Sequence, residues 1–137
     1  MREILFRGKQ EHKNKEWVFG NLHCEYGETD KNGQRKIDYR ILGMRGECDY
    51  VLSETVGQFT GLTDKNGKKI FEWDVLQFNY TGKNHGVEGK ATVIFEHGKF
   101  GVLWGWHKEF VCLDGFANTT IEVIGNIHDN PELLENP

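Results

Sequence analysis

Ala91-Thr92-Val93-Ile94-Phe95-Glu96-His97-Gly98-Lys99-Phe100-Gly101-Val102-Leu103-Trp104-Gly105-Trp106 is the stretch that decides the fold. Its side chains alternate with a period of two. Ala91, Val93 and Phe95 share one face, Thr92, Ile94 and Glu96 the other, and Phe100, Val102, Trp104 and Trp106 make the cleanest apolar face in the chain. Period two belongs to a strand, whose successive side chains point to opposite faces. Between the two runs, Glu96-His97-Gly98-Lys99 places a residue followed by glycine, which signals a tight hairpin.

The same pattern extends in both directions. Val18, Leu22, Cys24 and Tyr26 fall on one face of a strand, with Trp17, Phe19, Asn21 and His23 on the other. Strands are expected near residues 2–8, 16–26, 35–43, 57–61, 70–80, 89–96, 99–106, 109–114 and 120–128. Glycine is abundant at 17 and proline scarce at 2, which suits many tight turns between short antiparallel strands. Helix signals are weak. Ser53 to Gly57 has room for one turn. At the end, Asn130 is a good N-cap, Pro131 fits the first helical position and Glu132 favours the positive helix end.

The expected fold class is all-β. The strands after residue 70 have the number, length and spacing of a small barrel. Residues 1–58 form a smaller N-terminal β subdomain and residues 59–137 the barrel.

Composition narrows the function. Charged residues make up 28% and hydrophobic ones 37%, but the aromatics (Phe 9, Trp 4, Tyr 4) bury enough area to argue against disorder. A net charge of −4 removes the global surplus of Lys and Arg on which non-specific nucleic-acid binding rests, leaving only a local basic patch. Cys24, Cys48 and Cys112 are odd in number and widely spaced, so buried reduced thiols are expected rather than a disulfide framework. No stretch approaches the roughly 20 apolar residues of a membrane helix. The first residues lack the apolar run of a signal peptide. A cytoplasmic location is expected.

Thr29-Asp30-Lys31-Asn32-Gly33 and Thr63-Asp64-Lys65-Asn66-Gly67 repeat one pattern. Asn-Gly supplies the positive φ angles of a hairpin turn, and Asp hydrogen-bonds its own turn backbone. Asp30, Asn32, Gly33, Asp64, Asn66 and Gly67 are therefore read as turn residues. They fail as a calcium loop: the position that needs a bidentate Glu is Val75 in one copy and Ile41 in the other. The histidines and cysteines never pair at zinc-ligand spacing. No phosphate loop, Gly-x-Ser-x-Gly or His-Glu-x-x-His occurs. Neither a metal nor a cofactor is expected, and no catalytic residue is assigned.

Thr60-Gly61-Leu62, Asp64-Lys65-Asn66-Gly67 and Ile70-Phe71-Glu72-x-Asp74-Val75 together resemble the YopX family of phage and prophage proteins. The opening Arg2-Glu3-Ile4-x-Phe6-Arg7, the lead-in Thr55 to Gly61 and the ending Val123 to Leu134 fit in the same order. The resemblance implies a mostly β protein with an SH3-like C-terminal barrel and no established activity. Trp73 stands where the family usually has Gly.

The first functional expectation is a non-enzymatic phage accessory protein that acts through protein contacts, with self-association into a homo-oligomer. The alternative is a nucleic-acid-binding SH3-like module; the second alternative is a small-molecule binder or hydrolase. The candidate interaction surface comprises Trp73, Trp104, Trp106, Lys83, Lys90, Lys99 and Lys108. Stacking aromatics beside a basic rim suit single-stranded nucleic acid, whereas Phe100 and Val102 on the face of Trp104 favour a core role.

Overall fold

A computed structural model describes residues 1–80, 88–105, 107–116 and 119–134. The chain is all-β, with eleven strands and three short 3-10 turns among those residues. It divides into two compact units, Met1–Phe59 and Thr60–Pro137.

The first unit is an antiparallel sheet of β1 (Phe6–Lys9), β2 (Trp17–Thr29), β3 (Arg35–Leu42), β4 (Cys48–Tyr50) and the start of β5 (Gly57–Thr63), in the order β4-β3-β2-β1-β5. β2 is long. Its Trp17–Gly20 portion pairs with β1, and its remainder pairs with β3 from Asn21↔Leu42 to Thr29↔Arg35. Few apolar side chains are fully enclosed in this unit: Ile41, Val51 and Phe59 are 1%, 3% and 7% exposed. Gly20 is required by a close approach, because a Cβ there would overlap the Leu42 carbonyl.

In the second unit the end of β5 pairs with β6 (Lys69–Phe71). A five-stranded antiparallel sheet follows, built from β7 (Asp74–Tyr80), β8 (Gly89–Glu96), β9 (Lys99–Trp104), β10 (Glu109–Cys112) and β11 (Thr119–Asn126), in the order β10-β9-β8-β7-β11. The expected hairpin is present as β8 and β9, with Val93 opposite Val102 and Phe95 opposite Phe100, and its second strand ends at Trp104. Its apolar face builds the core. Ile70, Leu76, Phe78, Ala91, Val93, Val102 and Leu113 are buried together, with Phe100, Trp104, Val111, Phe116, Ile121 and Val123 around them. The 3-10 turn Pro131–Leu134 packs against β8, and Leu133 and Asn130 close over Gly125. Neither sheet closes on itself among the described residues.

Three readings of the sequence need correction. The strand expected over 70–80 is two strands, β6 and β7, because Glu72-Trp73 form a turn in which Trp73 adopts φ 72°. β4 has no forewarning: Cys48-Asp49-Tyr50 is too short to show a period. The C-terminal helix signal, with room for only a turn or two, yields the 3-10 turn 131–134, where Asn130 turns back to hydrogen-bond Asn126. Cys24 and Cys48 are exposed and Cys112 half-buried, not buried thiols.

Candidate interaction surfaces

The two Asp-Lys-Asn-Gly tips share one hydrogen-bond pattern. Asp64 Oδ1 accepts from the Asn66 and Lys68 amides at 2.9 Å each, the Asp64 amide donates to the Lys68 carbonyl, and the Gly67 amide to the Asp64 carbonyl. Asp30 repeats all four, with its Oδ1 accepting from Asn32 at 2.8 Å and Gln34 at 2.9 Å. Gly33 and Gly67 both have φ 79°, the left-handed region that glycine enters without strain. The surroundings then diverge. Asp64 is buried, and its Oδ2 accepts from the Val123 amide at 2.9 Å, at the bulge of β11. The Lys65 amide donates to the Ile121 carbonyl, and Lys65 Nζ lies 3.3 Å from Glu122. Burial pushes the Asp64 carboxyl up, but hydrogen bonds from Val123, Lys68 and Asn66 and the Lys68 charge outweigh it and hold the pKa below its ordinary 3.8. The second tip is thus docked on β11, whereas the first projects into water.

Trp73 is half-buried, its amide donating to the Val93 carbonyl and its carbonyl accepting from Ile127. Its ring meets His128 edge-on at 6.5 Å. The turn is tightened by Asp74, 2% exposed, whose Oδ2 accepts from the Phe71 amide at 2.8 Å. A φ of 72° is costly for any residue with a Cβ, which is why a glycine would suit this position.

The candidate Trp and Lys residues divide. Trp106 and Lys83 lie outside the described residues. Trp104 packs edge-on against Phe78 at 5.1 Å and Phe116 at 5.3 Å. Its outer side, with Glu88, Gly89, Lys90, Leu103, Gly105 and Lys108, lines a shallow groove of about 300 Å³. Lys90 and Lys108 therefore line the same groove, together with the acidic Glu88. Lys99 sits at the other end of β9, opposite Glu96, with its Nζ 5.8 Å from the Phe110 ring centre.

The first unit holds a feature that the residue-by-residue reading overlooked. Beyond His23, where β4 no longer pairs with β3, β2 and β3 form a two-stranded arm. Directly paired residues share a face, so Leu22–Ile41, Cys24–Tyr39 and Tyr26–Ile37 make one apolar stripe. Exposure rises along it, from Ile41 at 1% to Ile37 at 41% and Tyr26 at 68%. The opposite face is polar and internally paired: Arg40 bonds Glu25 at 2.7 Å and lies over Tyr50 at 5.5 Å. Its alternating signal was legible at Leu22, Cys24 and Tyr26; the missing second layer was not. Elsewhere in this unit, a cavity of about 350 Å³ is lined by Trp17, Phe19, Ile41 and Asp49 among others. Asp49 is already engaged there by Lys13 at 3.0 Å and Gln10 at 3.3 Å.

Among the described residues no group of three or more His, Cys, Asp or Glu side chains is arranged to hold a metal ion, and no helix is long and apolar enough to cross a membrane. The structure is similar to protein EF1440 from Enterococcus faecalis, with a TM-score of 0.56, 26% identity, and 98% of this chain and 99% of that chain covered. It shares its fold with protein yopX from Bacillus subtilis, with a TM-score of 0.57, 20% identity and the same coverage. No curated protein matches the chain. The YopX protein family model matches residues 5–135, and the chain belongs to that family.

Proposed function

We propose that this protein is a non-enzymatic accessory protein of a phage or prophage, working in the cytoplasm through protein contacts and associating with copies of itself. One observation carries the reading. The β2–β3 arm holds Tyr26 and Ile37 in water at 68% and 41% exposure on a continuous apolar face. A two-stranded ribbon is marginal alone in water, and a contiguous apolar face on it is the mark of an interaction site. We read the second unit as an SH3-like module in open form. Light scattering at micromolar concentration tests the proposal. An oligomeric mass is expected, and a stable monomer counts against it.

A second reading is favoured by the groove at Trp104, where Lys90 and Lys108 flank an aromatic side chain. A basic rim beside an aromatic side chain suits single-stranded nucleic acid. Salt-sensitive retention of single-stranded DNA or RNA is expected on this reading, and no retention at low salt ends it.

A further inference from the structure

We infer that the arms of two copies pack face to face and antiparallel, about a two-fold axis beside the Tyr26–Ile37 pair, with the tip of each arm seated in an acidic groove at the base of the other. This inference rests on the proposed self-association and names its surface.

Three observations lead to this arrangement. First, the most exposed apolar pair of the stripe is Tyr26–Ile37, so a two-fold contact removes most apolar area when its axis passes there. Second, edge-to-edge pairing along β2 is opposed by charge. An antiparallel two-fold between Tyr26 and Gly27 brings Glu25 of one copy opposite Glu28 of the other. Like charges placed opposite each other are destabilising.

Third, the tip and base are complementary. Arg35 lies on the apolar side of the tip, its guanidinium over the Tyr26 ring at 5.5 Å. It stands two residues beyond Ile37 along β3. A two-fold about Ile37 carries it to the level of the partner copy's Tyr39, two residues the other way. At that level Val51 donates its amide to the Tyr39 carbonyl. A groove of about 150 Å³ opens beside it, lined by Glu11 and Glu54, by Lys36 and Asp38, which pair with each other at 3.6 Å, and by Tyr39 and Val51 among others. The basic tip of one copy thus reaches two carboxylates of the other.

The size of the contact sets its strength. From Cys24 to Thr29 the arm is about 20 Å long and about 10 Å wide. Two such faces present roughly 400 Å² of flat area in total, below the size of specific interfaces. The tip-to-base charges therefore decide whether the pair forms at micromolar concentration.

A charge swap tests this on the full chain, with the dissociation constant read by sedimentation equilibrium. Arg35→Glu and Glu54→Arg are each expected to weaken association by about tenfold or more. The combined variant is expected to return to within about threefold of the unaltered protein. All these positions are exposed, and circular dichroism checks that the variants fold. Ile37→Cys, in a background of Cys24→Ser, Cys48→Ser and Cys112→Ala, is expected to cross-link with a short bismaleimide. Retaining Cys48 alone is expected to give no cross-link, because it lies on the opposite face. An oligomer whose affinity ignores both single reversals, or whose double variant is as weak as their sum, overturns the arrangement while leaving self-association standing. An unaltered protein that stays monomeric overturns both.

Discussion

Asp64 and Asp30 sit in the same five-residue pattern and make the same turn, yet the physical demands on them differ. Asp30 uses one carboxylate oxygen, for Asn32 and Gln34. Asparagine keeps that acceptor, so Asp30→Asn is expected to change stability by less than about 0.5 kcal/mol. Asp64 uses both oxygens, and Oδ2 holds the Val123 amide. Asp64→Asn presents either a donor to that amide or a donor to the turn, and is expected to lose about 1–3 kcal/mol in denaturant unfolding. Because the Asp64 pKa in the folded protein lies below its ordinary 3.8, its stabilising effect is complete above that value and is lost as pH falls through the lower folded value. The gap between Asp64→Asn and the unaltered protein should therefore narrow below about pH 4. Trp73 makes the converse point. Trp73→Ala and Trp73→Gly lose the same contact with His128, but only glycine relieves φ 72°. Trp73→Gly is expected to be the more stable of the two by about 1 kcal/mol, and equal stabilities would show that the backbone there carries no strain.

At the scale of elements, alternation alone found the β8–β9 hairpin and its core face, because Ala91, Val93 and Val102 lie inward while Ile94 and Leu103 on the other face are only half-buried. It missed what alternation does not encode. The Glu72-Trp73 turn is hidden because the residue that usually signals such a turn is replaced by tryptophan. β4 is hidden because three residues show no period. The docking of the second tip on β11 is hidden because it depends on a contact 59 residues away. Thr92 shows another limit. It reads as an ordinary strand residue, but among the described residues nothing hydrogen-bonds its buried hydroxyl. Thr92→Val keeps the shape and removes the unsatisfied group. It is expected to raise stability by up to about 1 kcal/mol, and a loss would mean that the hydroxyl is satisfied in solution. The arm was half legible. Its apolar alternation is in the sequence, but the absence of a covering layer belongs to the topology. Amide exchange in the arm, at Cys24 and Ile37, should be fast in dilute protein and slow as concentration rises.

For the whole molecule, family and fold class could be read from ordered motifs at both ends and the middle, whereas function could not. Turn chemistry explains the densest motif, so the motif marks a fold rather than a reaction. The exposed outer end of the β2–β3 apolar face, at Tyr26 and Ile37, carries the proposed function. Sedimentation velocity of the unaltered chain beside Tyr26→Glu, over a range of micromolar concentrations, is the most direct test. The unaltered protein is expected to sediment as an oligomer and Tyr26→Glu, still folded, as a monomer. A monomer in both samples, or an oligomer indifferent to the change at Tyr26, would contradict the proposed function.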